Sequence, residues 1–375
     1  MKIQGQTMKT KKIHNFIGKY IPAPAVIIFI VFFFGVLLQI GFRLSPAFSD
    51  FYNRYVGSAF RTVMAKATDW IPFSLAEALL YFIPVPVVLL CIKLFRNIRG
   101  ETRYFVRCIF GLLSVLAAVN SIFALNFAAG YHGSSLADKL ELEDRTVTAQ
   151  ELYDTITIVI EQVNETAAQI DYRLDGSSRM PWDFFTLSDV LCDAYEPLYE
   201  EYIFLSPLNS NIKPLVISPL MTYTHISGVY SFYTGEANLN TNYPDYVCVY
   251  SAAHELAHQR GIAREDEANF IAFLVCTGAE DPYLQYSGYL SMYSYLASAL
   301  YYADSELYQL AVSTLESPAR GELSAYSRFF DKYRDSTASK VSDMVNDTYL
   351  QSQGTAGSAS YGMVVDLAVA YYLDK

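Results

Sequence analysis

The chain has 375 residues, room for two or three structural units, with 52% hydrophobic and only 17% charged residues, a balance too apolar for a wholly soluble protein of ordinary composition. Charge is split along it: residues 1–130 carry 14 Lys+Arg against 4 Asp+Glu, and residues 131–375 carry 13 against 34. That acidic majority would repel a phosphate backbone, which argues against a nucleic-acid partner, and five cysteines with no C-x-x-C pair argue against a disulfide framework.

Residues 1–20 are basic, with Lys2, Lys9, Lys11, Lys12 and Lys19 and no acid. An apolar run over 21–42 follows, long enough to cross a bilayer at about 1.5 Å per residue. A cleaved signal peptide is the rival reading; the length of this run and two later apolar runs argue against it. Residues 43–70 interleave Phe51, Tyr52, Tyr55, Phe60 and Val63 with Arg54, Arg61 and Lys66, the pattern of an amphipathic segment that lies on a membrane surface or packs on the later part of the chain. The second apolar run, 71–95, holds Pro84 and Pro86, which predict a kink, and Glu77 near its start is expected at the membrane interface. A loop with Lys93, Arg96, Arg99, Arg103 and Arg107 leads into the third run, 106–129. The excess of cations puts the N-terminus and this loop in the cytoplasm. Three crossings then leave residues 131–375 outside the cytoplasmic membrane.

The later portion reads as mostly helical. Thr148 with Glu151 three residues on forms a capping-box signature ahead of Leu152, Ile156, Val159, Ile160 and Val163 at helical spacing. Residues 188–202 read as another helix, 213–219 and 228–240 as short strands, 283–312 as one long helix, and 321–349 and 359–373 as two more. Cys192, Cys248 and Cys276 are expected as buried thiols. The expected fold is mainly α: three N-terminal transmembrane helices, then an α+β domain with a small sheet and a helical C-terminal portion.

Within that domain, Ala252-Ala253-His254-Glu255-Leu256-Ala257-His258-Gln259-Arg260-Gly261 carries two of the chain's five histidines. Residues four apart on a helix share a face, so His254 and His258 can offer two imidazole nitrogens to one ion. With Glu255 between them this is the H-E-x-x-H arrangement of zinc peptidases, in which the glutamate is general base for a water. Gly261 suits a left-handed cap after which a second helix folds back. A third ligand is expected from Glu265, Asp266 or Glu267. Glu265 ranks first, because Asn269 shares its face and would be placed to orient a ligand histidine, with Glu267 second. Carboxylates in a first helical turn also offset the helix dipole without binding anything. His225, Tyr223 and Tyr230 stand upstream in strand-like context, and His225 is the candidate for stabilising an oxyanion. A strand ahead of the motif helix could hold an extended peptide by its edge.

The run Ser218-Pro219-Leu220-Met221, then 233–240, then His254 through Phe270, together with Trp70-Ile71-Pro72-Phe73-Ser74 and Tyr361-Gly362-Met363-Val364-Val365-Asp366, resembles an uncharacterised bacterial family of multi-pass membrane proteins with a zincin-like domain. Glu265-Asp266-Glu267-Ala268-Asn269 is similar to the E-x-x-A-D/N signature of glutamate-zinc peptidases, a resemblance that implies Glu265 as third ligand; Asn269 departs from the Asp common there. The reading at this point is a membrane-anchored zinc metallopeptidase with one Zn2+ on His254, His258 and Glu265, acting on peptides or proteins outside the membrane. The alternative is a zinc-binding membrane sensor with little turnover.

Overall fold

The structure, a computed structural model, describes residues 18–97, 102–143 and 146–373, apart from the side chains of Leu90 and Tyr361. Lys2, Lys9, Lys11, Lys12 and Arg99, on which the expected orientation in part rests, lie outside the described residues. Among the described residues, three helices are long and apolar enough to cross a membrane: Ala23–Leu44, Leu75–Arg96 and Thr102–Asn126. At about 1.5 Å per residue, 22 residues span roughly 33 Å, enough for a hydrocarbon core. Their outer faces leave Ile27, Phe33, Phe34, Leu80, Val88, Leu89, Val115 and Leu116 exposed, large apolar side chains that a bilayer would cover. The first and third helices pack on each other and are joined by a hydrogen bond from Gln39 Nε2 to Asn120 Oδ1 at 3.0 Å. The second is interrupted at Ile83, between Leu75–Phe82 and Pro84–Asn97, where Pro84 and Pro86 were expected to kink it.

Between the first two apolar helices runs a helical arm, Pro46–Tyr52, a π-helical turn Asn53–Gly57, and Ser58–Asp69. It alternates faces. Tyr52, Gly57, Arg61, Ala65 and Thr68 are buried, while Phe51, Tyr55, Phe60 and Val63 stay exposed. The buried face packs against the end of the third apolar helix and the later portion of the chain. A hydrophobic cluster of Phe42, Tyr52, Phe123, Phe127, Tyr131, Tyr230 and Ala263 draws on both sides of residue 130, the boundary expected between membrane and outer domains.

The entry of the second apolar helix is clamped to the sheet. Ser74 caps it through the Glu77 N–H at 2.9 Å and donates its hydroxyl to Asn238 Oδ1 at 2.6 Å. The Glu236 carboxylate accepts from the Leu75 and Ala76 N–H groups at 3.0 and 2.8 Å, a negative charge placed at a helix N-terminus. Glu77 is buried and accepts from the Val216 and Ile217 N–H groups at 2.9 and 2.7 Å. Its carboxylate therefore ties helix to domain. Glu77→Ala is expected to cost about 1–3 kcal/mol, the loss of a charged acceptor shared by two amides, read as a lower unfolding temperature in detergent.

The sheet has order β1-β3-β2, with β1 (Lys213–Pro214) parallel to β3 (Glu236–Leu239) and β2 (Gly228–Ser231) antiparallel to it. The strand expected over 213–219 stops after two residues, the Val216 and Ile217 N–H groups turning to the Glu77 carboxylate, and Ser218–Met221 forms a short helix with Pro219 in its first turn. The capping box at Thr148 and Glu151 opens Ala149–Ala167, and Phe184–Glu201 forms the next helix. Two expected long helices are each broken. The stretch 283–312 divides into Pro282–Ala303 and Ser305–Ser313 because Asp304, extended at φ −155°, turns its carboxylate onto the N–H groups of Glu306 and Leu307. Similarly, 321–349 divides into Ser317–Phe330 and Thr337–Ser352, with Ser336 capping the second; Val364–Leu373 ends the chain's described fold. These helices surround one main core that also takes in the motif helix, where Cys192, Cys248 and Cys276 lie buried as free thiols. Each fully buried Leu, Ile or Phe side chain there contributes about 1.5–3 kcal/mol.

Candidate metal centre

The motif helix, Asp245–Gln259, lies with β2 and β3 on one side and the helices Glu265–Gly278 and Pro282–Ala303 on the other. Ala252, Ala253 and Ala257 are fully buried; short side chains let these neighbours approach closely enough to cover it. The helix ends at Gly261, whose φ of +104° is open to glycine and strained for any other residue. The chain then reverses into Glu265–Gly278. That reversal brings Glu265 back over the face that carries His254 and His258.

Glu265 Oε2 stands 3.1 Å from His254 Nε2 and 3.4 Å from His258 Nε2, and one ligand atom from each of the three residues falls within 4.8 Å of the others. Ligand atoms about 2.0–2.2 Å from a tetrahedral zinc ion stand roughly 3.3–3.5 Å from one another, so the two separations are of the size such an ion requires. His258 Nδ1 donates to the Ile262 carbonyl at 2.7 Å, so that in the neutral imidazole Nε2 is the nitrogen available to a metal. The donor set, two imidazoles and a carboxylate, suits zinc.

Electrostatics couple the three groups. Burial works against a charged His258, but the Glu265 carboxylate more than reverses this and raises it to about 9. Burial alone would raise Glu265; the His258 charge and hydrogen bonds from both imidazoles instead pull it well below the usual carboxylate range. Glu255, 5% exposed, is pushed up to about 7 by burial, although both histidines oppose the shift. Its Oε2 has no hydrogen-bond partner. A carboxylate oxygen left free in the interior beside two imidazoles is costly unless it has a task.

β2 passes directly over Glu255. A Cβ built on Gly228 would lie 2.6 Å from both Cγ and Oε1 of Glu255, so only glycine allows strand and carboxylate to approach this closely. Gly228→Ala is expected to displace the Glu255 side chain and lower any hydrolytic rate about tenfold or more, since small misplacements of a reacting group carry large rate penalties. Bound metal should be unchanged, and a rate equal to the parent's would show that this contact does not position Glu255.

Of the other expected site residues, Tyr230 stays beside the imidazole pair and the rest turn elsewhere. Glu267 is buried but turned aside, accepting from the Leu136 N–H and from Arg264 Nη1, both at 2.9 Å. His225 occupies a left-handed cap at φ 60°, with its ring 4.7 Å from Phe330 and Nε2 2.9 Å from the Tyr333 carbonyl. Its contacts run to the C-terminal helices and none reaches the imidazole pair. Tyr223 packs on Tyr333; Tyr230 lies against His258, ring centroids 6.5 Å apart. Asn269 bonds neither imidazole: its carbonyl accepts from Tyr250 Oη at 2.7 Å, its Nδ2 is unpartnered, and so is Nδ1 of His254.

Three neighbours of the centre were not anticipated. Phe127, one residue past the third apolar helix, sets its ring edge-on to His258 at 5.9 Å. Asn53 donates to the Gly261 carbonyl at 2.8 Å. Arg61, fully buried, lies against Gly261 and donates to Asn53 Oδ1 and the Asn126 carbonyl at 2.8 and 2.6 Å; burial lowers its guanidinium to about 10. The one sequence signal for these contacts was a lone arginine on the face of the arm that also carries Tyr52 and Ala65.

Fold and site together define a mainly helical protein in which three membrane-length helices meet a domain bearing a buried His-His-Glu cluster. Residues 52–369 match the family described as "Protein of unknown function (DUF3810)", and the chain belongs to that family. No curated protein and no solved structure matches it.

Proposed function

We propose that this protein is a membrane-anchored, zinc-dependent peptidase with a zincin-like catalytic domain, its active site outside the cytoplasmic membrane. The observation that carries the reading is the convergence of His254 Nε2, His258 Nε2 and Glu265 Oε2 within a few ångströms, next to a Glu255 carboxylate oxygen that has no other partner. Zinc, when bound, supplies Lewis acidity toward a water and a peptide carbonyl. The protein's own residues do the rest. Glu255 takes a proton from the attacking water on its free oxygen and passes it to the leaving amine. The Ile262 carbonyl, accepting from Nδ1, would keep His258 in the tautomer whose Nε2 can hold zinc. β2 is an edge strand of the sheet and touches Glu255 through Gly228; an extended peptide added along that edge would bring its scissile bond to the carboxylate.

The sensor reading has its own support. Asn53 and Arg61 on the arm hold the Gly261 turn, and Phe127 at the end of the third apolar helix touches His258, so a change at the ion has a short mechanical route to the membrane helices. Metal analysis of the purified full chain, paired with hydrolysis of a peptide library, separates the two. One zinc per chain with cleavage supports the peptidase, zinc without cleavage supports the sensor, and a chain that takes up no zinc overturns both.

A further inference from the structure

The arm between the first two apolar helices meets the site-side end of all three. It starts at Pro46, two residues after the first ends at Leu44, and finishes at Asp69, six before the second begins at Leu75. Midway it crosses the end of the third, where Tyr52 Oη donates to the Leu125 carbonyl at 3.1 Å and Arg61 to the Asn126 carbonyl. Three membrane-length helices that finish on one side define a plane, and the arm lies across it. Its inner face is accounted for by the Gly261 turn, Asn126 and the sheet.

The outer face has no partner among the described residues and a distinctive chemistry. Phe51, Tyr55, Val63 and Trp70 are exposed, Val63 by 68% and Trp70 by 79%. The Trp70 Nε1–H is satisfied within its own helix by the Ala67 carbonyl at 2.8 Å, so its ring can enter an apolar phase at no hydrogen-bond cost. Cations accompany the rings: Arg54 lies over Tyr55 at 5.0 Å from the ring centroid, and the half-exposed Lys66 reaches back to the Asn209 carbonyl and to Asp69 at 3.9 Å. The acids of the arm are turned inward, Asp50 onto Ser134 and Lys139 and Asp69 onto the Asn211 N–H and side-chain amide. Aromatic and aliphatic side chains rimmed by Arg and Lys, with the carboxylates withdrawn, match the boundary between acyl chains and anionic headgroups.

We propose that the arm is an interfacial helix, its outer face seated in the headgroup–acyl boundary of the leaflet where the three apolar helices end. Since its inner face grips the Gly261 turn, the His254–His258–Glu265 cluster stands on the order of one helix diameter, about 10 Å, from the lipid. On the peptidase reading, on which this consequence rests, the substrate is a chain segment lying at the membrane surface.

The test uses the full chain in vesicles of phosphatidylcholine and phosphatidylglycerol. Trp70 and Trp182 are the only tryptophans; both are changed to Phe, and a single reporter is placed mid-arm by Val63→Trp or, in a second variant, Tyr55→Trp. Lipids brominated close to the headgroup are expected to quench either reporter at least twofold, with aqueous iodide quenching little. Quenching of both reporters by iodide and not by bromine would overturn the arm's placement. Cleavage of one peptide, free or held on a lipid anchor in the same vesicles, tests the substrate: about tenfold faster cleavage of the anchored form supports it, and equal rates overturn it. No cleavage of either form, with bromine quenching intact, removes the peptidase and leaves the interfacial arm standing.

Discussion

On the proposed peptidase reading, replacing Glu255 with glutamine is expected to slow peptide hydrolysis about 10²–10⁴-fold, the usual contribution of a positioned general base, with zinc uptake unchanged. Glutamine has the shape of glutamate, so the close fit beneath Gly228 survives. What disappears is the capacity to accept a proton at Oε2, the oxygen that has no hydrogen-bond partner. Because Glu255 is flanked by the proposed ligands and lies outside the His254–His258–Glu265 cluster, metal content and rate should part company. The measurement is kcat on a peptide found by library screening, together with zinc per chain by elemental analysis. A variant as fast as its parent would take Glu255 out of the mechanism, and a variant that had lost zinc would make it a ligand.

The second large effect distinguishes two neighbouring carboxylates. Glu265→Gln is expected to abolish stoichiometric zinc binding, since a neutral amide replaces the one anionic member of the proposed ligand set, which lies 3.1 and 3.4 Å from the two imidazole nitrogens. Glu267→Gln should bind zinc as the parent does and fail in a different way. Its carboxylate holds the Leu136 N–H and Arg264, charge-assisted hydrogen bonds worth about 1.5–3 kcal/mol, so the variant should unfold at lower temperature with its metal retained. The reverse outcome, zinc lost only from the Glu267 variant, would transfer the ligand role to the residue that ranked second on sequence.

What could be read from the chain alone was what is local. Four-residue spacing aligns His254 with His258 on any α-helix, and a glycine after them permits the reversal that returns Glu265. Long apolar runs announce membrane-length helices because length and hydropathy suffice for that inference, and the Thr148–Glu151 capping box is complete within four residues. Where local signals competed, the reading went astray: Asp304 breaks one expected helix with a single side chain, and the other stops at Phe330 and restarts only after a turn, with Ser336 as the new cap.

Tertiary structure decided everything that depends on distant partners. Nothing near Glu77 in the chain indicates that its carboxylate would bond the amides of Val216 and Ile217. Nothing near His225 indicates that its ring would turn to Phe330 and Tyr333 and away from the imidazole pair. The support of the Gly261 turn by Asn53 and Arg61 spans some two hundred residues, and the contact of Phe127 with His258 more than a hundred. Helical periodicity carries information over a few turns, so the His254, His258 and Glu265 side chains were legible. The setting that joins them to the arm and the apolar helices arises only when separate segments pack, because the polar groups that make the joint, Asn53 and Arg61, find partners on other elements.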